Sequence, residues 1–565
     1  MIYISLGLIW AFITGIGMLM LNINKIWVGI FSFFALLFGT GMAYLSTPVL
    51  GLFEIGTWAF VLTPIVFVGI LAMISLADRH HEPGDGKPKF LFMSAISSLV
   101  ILAAFSFFTT APMIHSKAYH SLLEVVEEEE FVAEDVLFDQ SQARFVDQSL
   151  SVRSANEILG QVRGMGSRYK IDTMRIQNVN GELQWLAPFV HSSLFKWMDD
   201  ETSPGYVSVS INDYSDAEMF IEDKDINYGV EGFYFSSYLP RHVYANGYAS
   251  TLLDDYTMEI DNNGKPYWVV SVLERKVGFS GKIATGILTI DAKTGEIEQY
   301  TIKDAPEWVD RIQPEGIVEE LITDWGKYAD GWWNGTVVGN EVIESTPGSS
   351  IVFTKDGSSS WYTGMQSDSA SNKESTMGFM LVDSRTGKAT FYQRTGITET
   401  VAKTAIEGRV QDLGYYASSP IPYNINGKTT FLAILKDNNG NMQGVGLVAY
   451  DDRSKVAFGE TFDIALRRYM STLSSGSGTE NMDSGMDAIS IQGIVDRSYL
   501  QTVDNRLVLN FTLNNEEYQG MVFIVQADGN KHAMFTRDND SVSFETYSLE
   551  NESIQVFNFE TDYFQ

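Results

Sequence analysis

Four long apolar runs occupy the beginning of the chain. They cover residues 2–22, 27–45, 58–77 and 90–109, and none of them contains Asp, Glu, Lys or Arg. Each run has about 20 residues, the length that a helix needs to cross a hydrocarbon layer of about 30 Å. Four such runs in series, with no small-residue cleavage pattern after the first, argue against a signal peptide. The pattern predicts a four-helix transmembrane anchor over residues 1–112.

Basic residues beside the runs predict their orientation. Lys25 lies in the first loop and Arg79, Lys87 and Lys89 lie in the third, whereas the opposite side has no Lys or Arg before Lys117. Because basic loops stay in the cytoplasm, we expect a multi-pass plasma (inner) membrane protein. Its N-terminus and everything after the fourth run would then be exocytoplasmic, either periplasmic or extracellular. No ionisable residue lies within a predicted span, which disfavours a transporter subunit.

An acidic stretch follows the anchor. Eight acidic residues and no Lys or Arg lie between Lys117 and Arg144. Apolar residues recur within the stretch, so it is partly amphipathic. We predict a juxtamembrane helix or stalk over residues 113–149, with an acidic face that anionic lipid headgroups repel.

Two periodicities alternate over residues 150–473. Apolar residues recur at spacings of three and four in 154–169, 314–328, 398–414 and 461–473, which predicts helices. Between them, Asn-Gly or Asp-Gly turns precede runs that read as strands. The pattern predicts about four tandem α+β units, each a helix followed by an antiparallel sheet.

Two hairpins in this region share the pattern Asp-x-(Lys/Arg)-Thr-Gly between alternating apolar runs. The Asp carboxylate is expected to hold the turn by local hydrogen bonds, and the Gly to take a left-handed conformation. No step requires a ligand, so we interpret the motif as a structural hairpin turn. Its residues are Asp291, Thr294 and Gly295 in one copy, and Asp383, Thr386 and Gly387 in the other.

The same residues resemble the PepSY module of bacterial envelope proteins. The first copy matches from Ile290 to Ile297, and the second has Lys388 where Glu is usual in the module. The resemblance covers about a third of the chain. It implies exported, membrane-associated modules, some of which are linked to the restraint of secreted peptidases. It implies no catalytic residues.

Two segments of different composition form the last part of the chain. Residues 474–487 are rich in Gly and Ser, which predicts a flexible linker. Residues 488–565 read as five short strands with an early Gly, and they resemble a small OB-like β-barrel. An all-β sandwich is the alternative.

Composition narrows the classes of function. The formal charge is −32, so binding to nucleic acid phosphates is disfavoured. The chain has no cysteine, which excludes disulfides, thiol nucleophiles and iron–sulfur clusters. The motifs HExxH, GxSxG and GxxxxGK(S/T) are also missing from the sequence. His80 and His81 adjoin acidic residues, but a hydrated loop accounts for them. We assign no catalytic, metal or cofactor-binding residue and expect no enzyme.

A tryptophan-rich segment is the strongest candidate contact surface. Exposed Trp and Tyr give a large, rigid surface that suits a sugar or protein contact. Packing between modules is the alternative, and Trp332 and Trp333 are expected on a turn. The candidate residues are Trp308, Trp325, Tyr328, Trp332 and Trp333.

These observations predict an integral membrane protein, in contact with lipid, whose ectodomain is a scaffold or binding surface. Its partner would be an envelope protein or a cell-wall polymer. One alternative is a regulator or inhibitor of an envelope peptidase, which follows only from the PepSY resemblance. Another is an enzyme directed at cell-wall glycan, with a carboxylate pair near the tryptophan-rich segment.

Overall fold

The computed structural model describes residues 1–77, 86–128, 143–353, 357–368, 374–425, 427–474, 489–503, 506–527, 531–546 and 553–562. The chain forms two compact units. Unit 1 comprises residues 1–131 and 144–395, and unit 2 comprises residues 132–143 and 396–565. The predicted linker and the loop with His80 and His81 lie outside the described residues, apart from Ser474.

Four long helices begin unit 1. They are α1 (Ile2–Met20), α2 (Lys25–Ser46), α3 (Ile55–Ala77) and α4 (Lys87–Thr110). All four are long and apolar enough to cross a membrane, which confirms the prediction of four apolar helices. Their outward faces carry exposed apolar side chains such as Phe34 and Ile101. Such a surface is unfavourable in water and suits lipid.

Small residues let these helices approach closely. Gly39 lies against the ring of Trp10, and Gly17 lies against the side chain of Val68. The Trp10 indole N–H donates a 2.9 Å hydrogen bond to the Phe60 carbonyl. Close contact through glycine is the usual way in which helices pack when hydrophobic burial cannot drive their association.

The stretch predicted as an acidic helix or stalk is only partly helical. Helix α5 (Pro112–His120) ends early, and strand β1 (Val125–Glu128) then pairs in parallel with the sheet strand at residues 389–392. The helix prediction is therefore wrong for residues 125–128, because an open sheet edge offers their backbone hydrogen bonds. Residues 129–142 lie outside the described residues.

Sheet A follows helices α6 (Gln148–Gln161) and α7 (Met165–Arg168). Its strand order is β2-β4-β5-β6, and β3 also pairs with β4. The short helix α8 lies between β4 and β5. The bounds are β2 (Tyr169–Ile171), β3 (Arg175–Val179), β4 (Glu182–His191), α8 (Leu194–Asp199), β5 (Tyr206–Ser210) and β6 (Ala217–Phe220).

Sheet B is a four-stranded antiparallel meander of order β10-β9-β8-β7. A 3₁₀ turn (Phe235–Ser237), helix α9 (Leu239–Val243) and a π turn (Tyr244–Tyr248) precede it. The strands are β7 (Leu252–Ile260), β8 (Pro266–Val277), β9 (Ser280–Asp291) and β10 (Ile297–Thr301).

Sheet C has the order β1-β16-β15-β13-β11, and β12 also pairs with β13. The preceding helices are α10 (Glu315–Tyr328) and α11 (Gly331–Trp333), which a π turn (Asn334–Val338) follows. The strands are β11 (Ile343–Ser345), β12 (Ser350–Phe353), β13 (Ser359–Ser367), β14 (Ser375–Thr376, outside this sheet), β15 (Gly378–Asp383) and β16 (Ala389–Tyr392).

Sheet D belongs to unit 2 and has the order β18-β20-β21-β22, with β19 also paired to β20. Helix α12 (Glu399–Arg409) precedes it and α13 (Phe462–Ser474) follows it. A 3₁₀ turn lies at Gln411–Leu413. The strands are β17 (Gly396–Ile397, outside this sheet), β18 (Tyr416–Ala417), β19 (Ile421–Ile425), β20 (Lys428–Lys436), β21 (Met442–Ala449) and β22 (Val456–Gly459).

The four sheets share one arrangement. In sheets A, C and D, two short strands in series pair with one edge of a long strand (β4, β13 or β20). In sheet B a single strand, β7, takes their place. A bulge divides it, so that residues 252–254 and 257–260 pair with β8 in different registers.

The last sheet of unit 2 has the order β27-β25-β24-β23-β26-β28. Only Val556 separates β27 from β28, so the two ends of the sheet meet and the sheet closes on itself. A 3₁₀ turn (Glu516–Tyr518) and helix α14 (Lys531–Phe535) lie between strands. The strands are β23 (Ile489–Val503), β24 (Arg506–Leu513), β25 (Val522–Gln526), β26 (Ser541–Thr546), β27 (Ser553–Gln555) and β28 (Phe557–Thr561).

Sheet B contacts the ends of the membrane-type helices. The tip of the β8–β9 hairpin packs on the end of α4, where Gly278 lies against the Thr109 carbonyl and the Phe279 N–H donates to the Thr110 hydroxyl. Beside it, Arg275 forms a two-point ion pair with Glu54, at 2.8 and 3.1 Å. Both side chains are mostly buried. An ion pair in this position orients sheet B on the helices.

A second contact joins the segment before sheet B to α1 and α2. The Arg241 Nε donates to the Tyr44 carbonyl at 3.0 Å, and the guanidinium lies over the Tyr44 ring. The Tyr244 hydroxyl donates to the Pro48 carbonyl, and its ring stacks on Tyr3. The start of α1 and the ends of α2 and α4 therefore all lie at the end of the bundle that faces sheet B.

We expect the Arg275–Glu54 pair to contribute strongly to stability. Substituting Arg275→Met leaves the Glu54 carboxylate desolvated without its partner, which should lower the free energy of unfolding by about 3 kcal/mol. Denaturant unfolding of the full chain in detergent micelles measures this change.

Lys276→Met is the matched control. Lys276 pairs with Glu274 at 2.7 Å, but both side chains are exposed, so the loss should be at most about 0.5 kcal/mol. Equal losses in the two variants would contradict a structural role for the buried pair.

Candidate functional site

A buried connecting segment links sheet B to α10. Residues 309–313 are all buried, although the segment contains Asp310, Arg311 and Gln313. Charged residues are seldom fully buried unless they are paired. The segment therefore marks a place where the fold provides polar partners in its interior.

Sheets A and B each bind this segment. From sheet A, the backbone N–H of Asn178 donates to the Asp310 carboxylate. From sheet B, the Glu259 carboxylate accepts a 3.0 Å bond from the Asp310 N–H, and the Ser271 hydroxyl donates to the Ile312 carbonyl. Sheets A and B are also tied directly, because the Gln177 amide both donates to and accepts from the backbone of Ile260.

Sheet C holds the segment from the other side. The Ser384 and Ser359 hydroxyls both donate to the Asp310 carbonyl, at 2.7 and 2.9 Å. The Trp361 indole N–H donates to the Gln313 carbonyl at 2.9 Å. The guanidinium of Arg385, in the turn after β15, binds the carbonyls of Ala305 and Pro306 just upstream. Sheets A, B and C thus all form hydrogen bonds with the buried segment 309–313 or with the residues just before it.

Two charged side chains of this cluster, those of Glu259 and Arg311, have atoms without a hydrogen-bond partner among the described residues. Glu259 is only 2% exposed, and its Oε1 has no hydrogen-bond partner among the described residues. Arg311 is 5% exposed, and its Nε and Nη2 likewise lack a partner there. Buried guanidinium N–H groups without partners are costly.

Burial sets the proton affinity of the two carboxyls. Desolvation, together with the nearby Asp310 charge, raises the pKa of Glu259 to about 8, against the attraction of Arg311. Desolvation also raises the pKa of Asp310 to about 7, although the Asn178 N–H and Arg311 act to lower it. Two carboxyls beside one guanidinium therefore tend to retain a proton near neutral pH.

Arg311 opens onto a cleft of about 410 Å³ between the sheets and α10. A cleft of this size accommodates a small molecule or a few residues of peptide. Its charged lining consists of Arg175, Lys282 and Arg311, and of Asp254, Asp255, Glu315 and Glu320.

The other two cations of the cleft already have partners. Arg175 lies 3.9 Å from Asp255, and Lys282 lies 4.0 Å from Glu320. The bulge in β7 lies between Asp254 and Thr257, and Asp255 within it has a φ of +49°. A left-handed conformation is unfavourable for a non-glycine residue, and such strain is common at functional sites.

The five candidate contact residues differ in exposure, since some are buried and others are exposed. Trp325 and Tyr328 are buried in α10, so neither can form a contact surface, and the prediction is wrong for these two residues. Their hydrophobic spacing on one helix face turns them toward the protein interior. Trp308 is half-buried and packs against the Tyr267 ring, with a centroid distance of 5.1 Å.

Trp332 and Trp333 lie in the short helix α11, which the π turn extends, and not on a turn between strands. Trp332 is partly buried against Tyr119, Val277 and Tyr328. Trp333 is 65% exposed. None of the five predicted contact residues lines the cleft.

The two hairpin motifs have the local geometry of a turn. The Asp291 carboxylate accepts from the N–H groups of Lys293 and Thr294, and Gly295 has a φ of +74°. The Asp383 carboxylate accepts from the N–H and hydroxyl of Thr386, and Gly387 has a φ of +75°. Neither motif lines the cleft, and a ligand is not needed to explain either.

Sequence reasoning missed Glu259, Asp310 and Arg311. Glu259 gives no signal in the sequence, because it alternates with Met258 and Ile260 along β7 as a solvent-facing residue would. The other two residues give one weak signal. Asp310 and Arg311 form an opposite-charge pair enclosed by the apolar residues Val309 and Ile312. Within the described part of the chain, no group of three or more His, Asp or Glu side chains could hold a metal ion.

A scan against models of protein families finds no match for the chain, and a search of curated proteins finds no matching sequence. The site is therefore interpreted from its own geometry.

We expect the Glu259 carboxyl to control part of the pH dependence of stability. With a pKa of about 8, folded Glu259 keeps a proton that the unfolded chain releases above about pH 4. The stabilising contribution of this proton is present at low pH and is lost as the pH rises toward 8. The unfolding temperature of the wild type should therefore fall between about pH 5 and pH 8, the range between the two pKa values, and that of Glu259→Gln should fall less. Circular dichroism melts in nanodiscs measure both.

Glu182→Gln, at an exposed position at the start of β4, is the matched control. It should keep the wild-type pH dependence. If Glu259→Gln also kept it, the raised pKa of Glu259 would be contradicted.

Proposed function

We propose that the chain is a membrane-anchored, exocytoplasmic binding protein that acts by contact and not by catalysis. Its cleft would hold a short peptide segment that carries both a carboxylate and an ammonium group. Such segments occur in envelope proteins and in the peptide parts of cell-wall polymers. The observation that carries the proposal is that Arg311, a buried guanidinium whose Nε and Nη2 have no partner among the described residues, is one of the residues that line an open polar cleft.

The arrangement of charges supports a ligand with both signs. Arg311 lines the cleft, and the planar fork of a guanidinium matches a carboxylate. Asp254 and Glu315 also line the cleft, and neither has an ion-pair partner among the described residues. Asp254 accepts a hydrogen bond from the Asp255 N–H, and Glu315 accepts one from the Ser349 hydroxyl. An ammonium group there would complete the pairing. A purely anionic polymer would meet the four carboxylates of the cleft and be repelled.

The ends of the helices support the exocytoplasmic orientation. The Lys87 ammonium lies 3.4 Å from the Asn22 side chain, so the first and third loops share one end of the bundle. Sheet B contacts the other end. By the positive-inside rule the basic end is cytoplasmic, which would place sheets A, B and C outside.

Strand order supports the architecture that we propose for the ectodomain. The shared arrangement of sheets A to D is what duplicated PepSY-like modules would produce. In the closed sheet of unit 2, β25 pairs in parallel with β27, and α14 lies between β25 and β26. An OB-like barrel would have these features.

We expect Arg311 to select ligands with a free carboxylate. The probes are short synthetic peptides with a free C-terminus and the same peptides as C-terminal amides. Titration calorimetry with the full chain in nanodiscs should detect binding of the free acids only. Arg311→Lys keeps the charge but loses the fork, so affinity should fall by about tenfold.

Lys276→Met, away from the cleft, should bind like the wild type. Equal binding of acids and amides, or an unchanged affinity in Arg311→Lys, would overturn the assignment to Arg311. Hydrolysis of purified wall glycan by the wild-type chain would instead favour the glycan-directed enzyme.

A further inference from the structure

Helix α5 does not continue the direction of α4. The backbone at Ala111 is non-helical, with a ψ of 124°. The Tyr119 hydroxyl donates a 2.7 Å bond to the Thr110 carbonyl, and the His115 ring bonds to the Phe108 carbonyl. In a straight helix, nine residues would separate Thr110 from Tyr119 by about 13 Å, farther than a tyrosine side chain reaches. The chain therefore turns at Ala111, and α5 leaves the direction of α4 while staying close to its end.

The segment that contains Trp332 and Trp333 packs on α5. The side chains of Tyr119, Tyr328 and Val277 form one small core, which Trp332 covers. The His120 ring bonds to the Trp325 carbonyl at 2.7 Å. Because Val277 belongs to the hairpin tip that lies on Thr109 and Thr110, this core is at the level where α4 ends.

The outer side of this core is apolar and exposed. Trp333 is 65% exposed, Val337 56% and Val338 50%. On α5, Met113 and Ile114 are also exposed. We call these five residues the interfacial patch. Its residue Met113 lies five positions after Phe108, an exposed residue in the last turn of α4, so along the chain the patch follows directly on the lipid-type surface of that helix.

We propose that the interfacial patch lies in the headgroup and upper acyl region of the same bilayer that α4 crosses. The inference rests on the membrane anchoring in the proposed function. Tryptophan favours this region because its ring is apolar and its N–H can reach water. A short amphipathic helix in the plane of the interface buries Met- and Ile-type side chains in the same way. Lipid is favoured over a protein partner because, along the chain, the patch follows directly on the apolar surface of α4.

The absence of cysteine makes the test direct, because one introduced cysteine carries the only label. The full chain is reconstituted in nanodiscs of phosphatidylethanolamine and phosphatidylglycerol. A nitroxide is attached at Val338→Cys or at Trp333→Cys. Its collisions with oxygen, which concentrates in lipid, are compared with its collisions with a water-soluble nickel chelate. Ile101→Cys in α4 is the lipid reference, and Val162→Cys after α6 is the exposed valine control.

We expect the ratio of oxygen to nickel collisions at Val338 and Trp333 to lie well above that at Val162 and to approach that at Ile101. A water-like ratio at both sites, with a lipid-like ratio at Ile101, would overturn the membrane contact and leave the anchoring intact. Labels shielded from both reagents would also overturn it, because the patch would then be covered by protein. A water-like ratio at Ile101 would overturn the anchoring itself.

Discussion

Unit 1 depends on the hydrogen bonds that reach residues 309–313. This segment is buried, so every polar group that it brings into the interior must find a partner or destabilise the fold. The partners come from sheets A, B and C, and the Asp310 carbonyl alone receives two serine hydroxyls. Because hydrogen bonds require specific distances and angles, they fix the positions of the sheets more tightly than apolar packing would.

The same constraint produces the cleft. Three sheets that meet at one buried segment leave a gap where their edges diverge, and polar side chains line it. Most polar groups of the segment are matched by the surrounding sheets. Arg311 is the exception, since its Nε and Nη2 have no partner among the described residues. A binding site can therefore arise where a structural polar network is left incomplete.

The elements that the sequence predicts best are those that depend only on residues near one another along the chain. The four apolar helices follow from composition alone, and helices expected at 314–328 and 398–414 agree with Glu315–Tyr328 and Glu399–Arg409. The cluster of Glu259, Asp310 and Arg311 could not be predicted in this way. Its residues come from separate elements, and only the packing of three sheets brings them together. Trp325 and Tyr328 are predicted as surface residues but are buried, because aromatic residues that suit a binding surface also suit the buried face of a helix.

The β8–β9 hairpin determines how far the cleft lies from the end of α4. Lys282, which lines the cleft, is two residues along β9 from Ser280 at the tip that rests on α4. That distance along a strand is about 7 Å, so one wall of the cleft begins close to the level where α4 ends. A molecule tethered to the same bilayer would search for this opening in two dimensions, at an effective concentration far above its average in the compartment. Under the membrane anchoring that we propose, the cleft would therefore meet molecules tethered to the membrane more often than molecules arriving from solution.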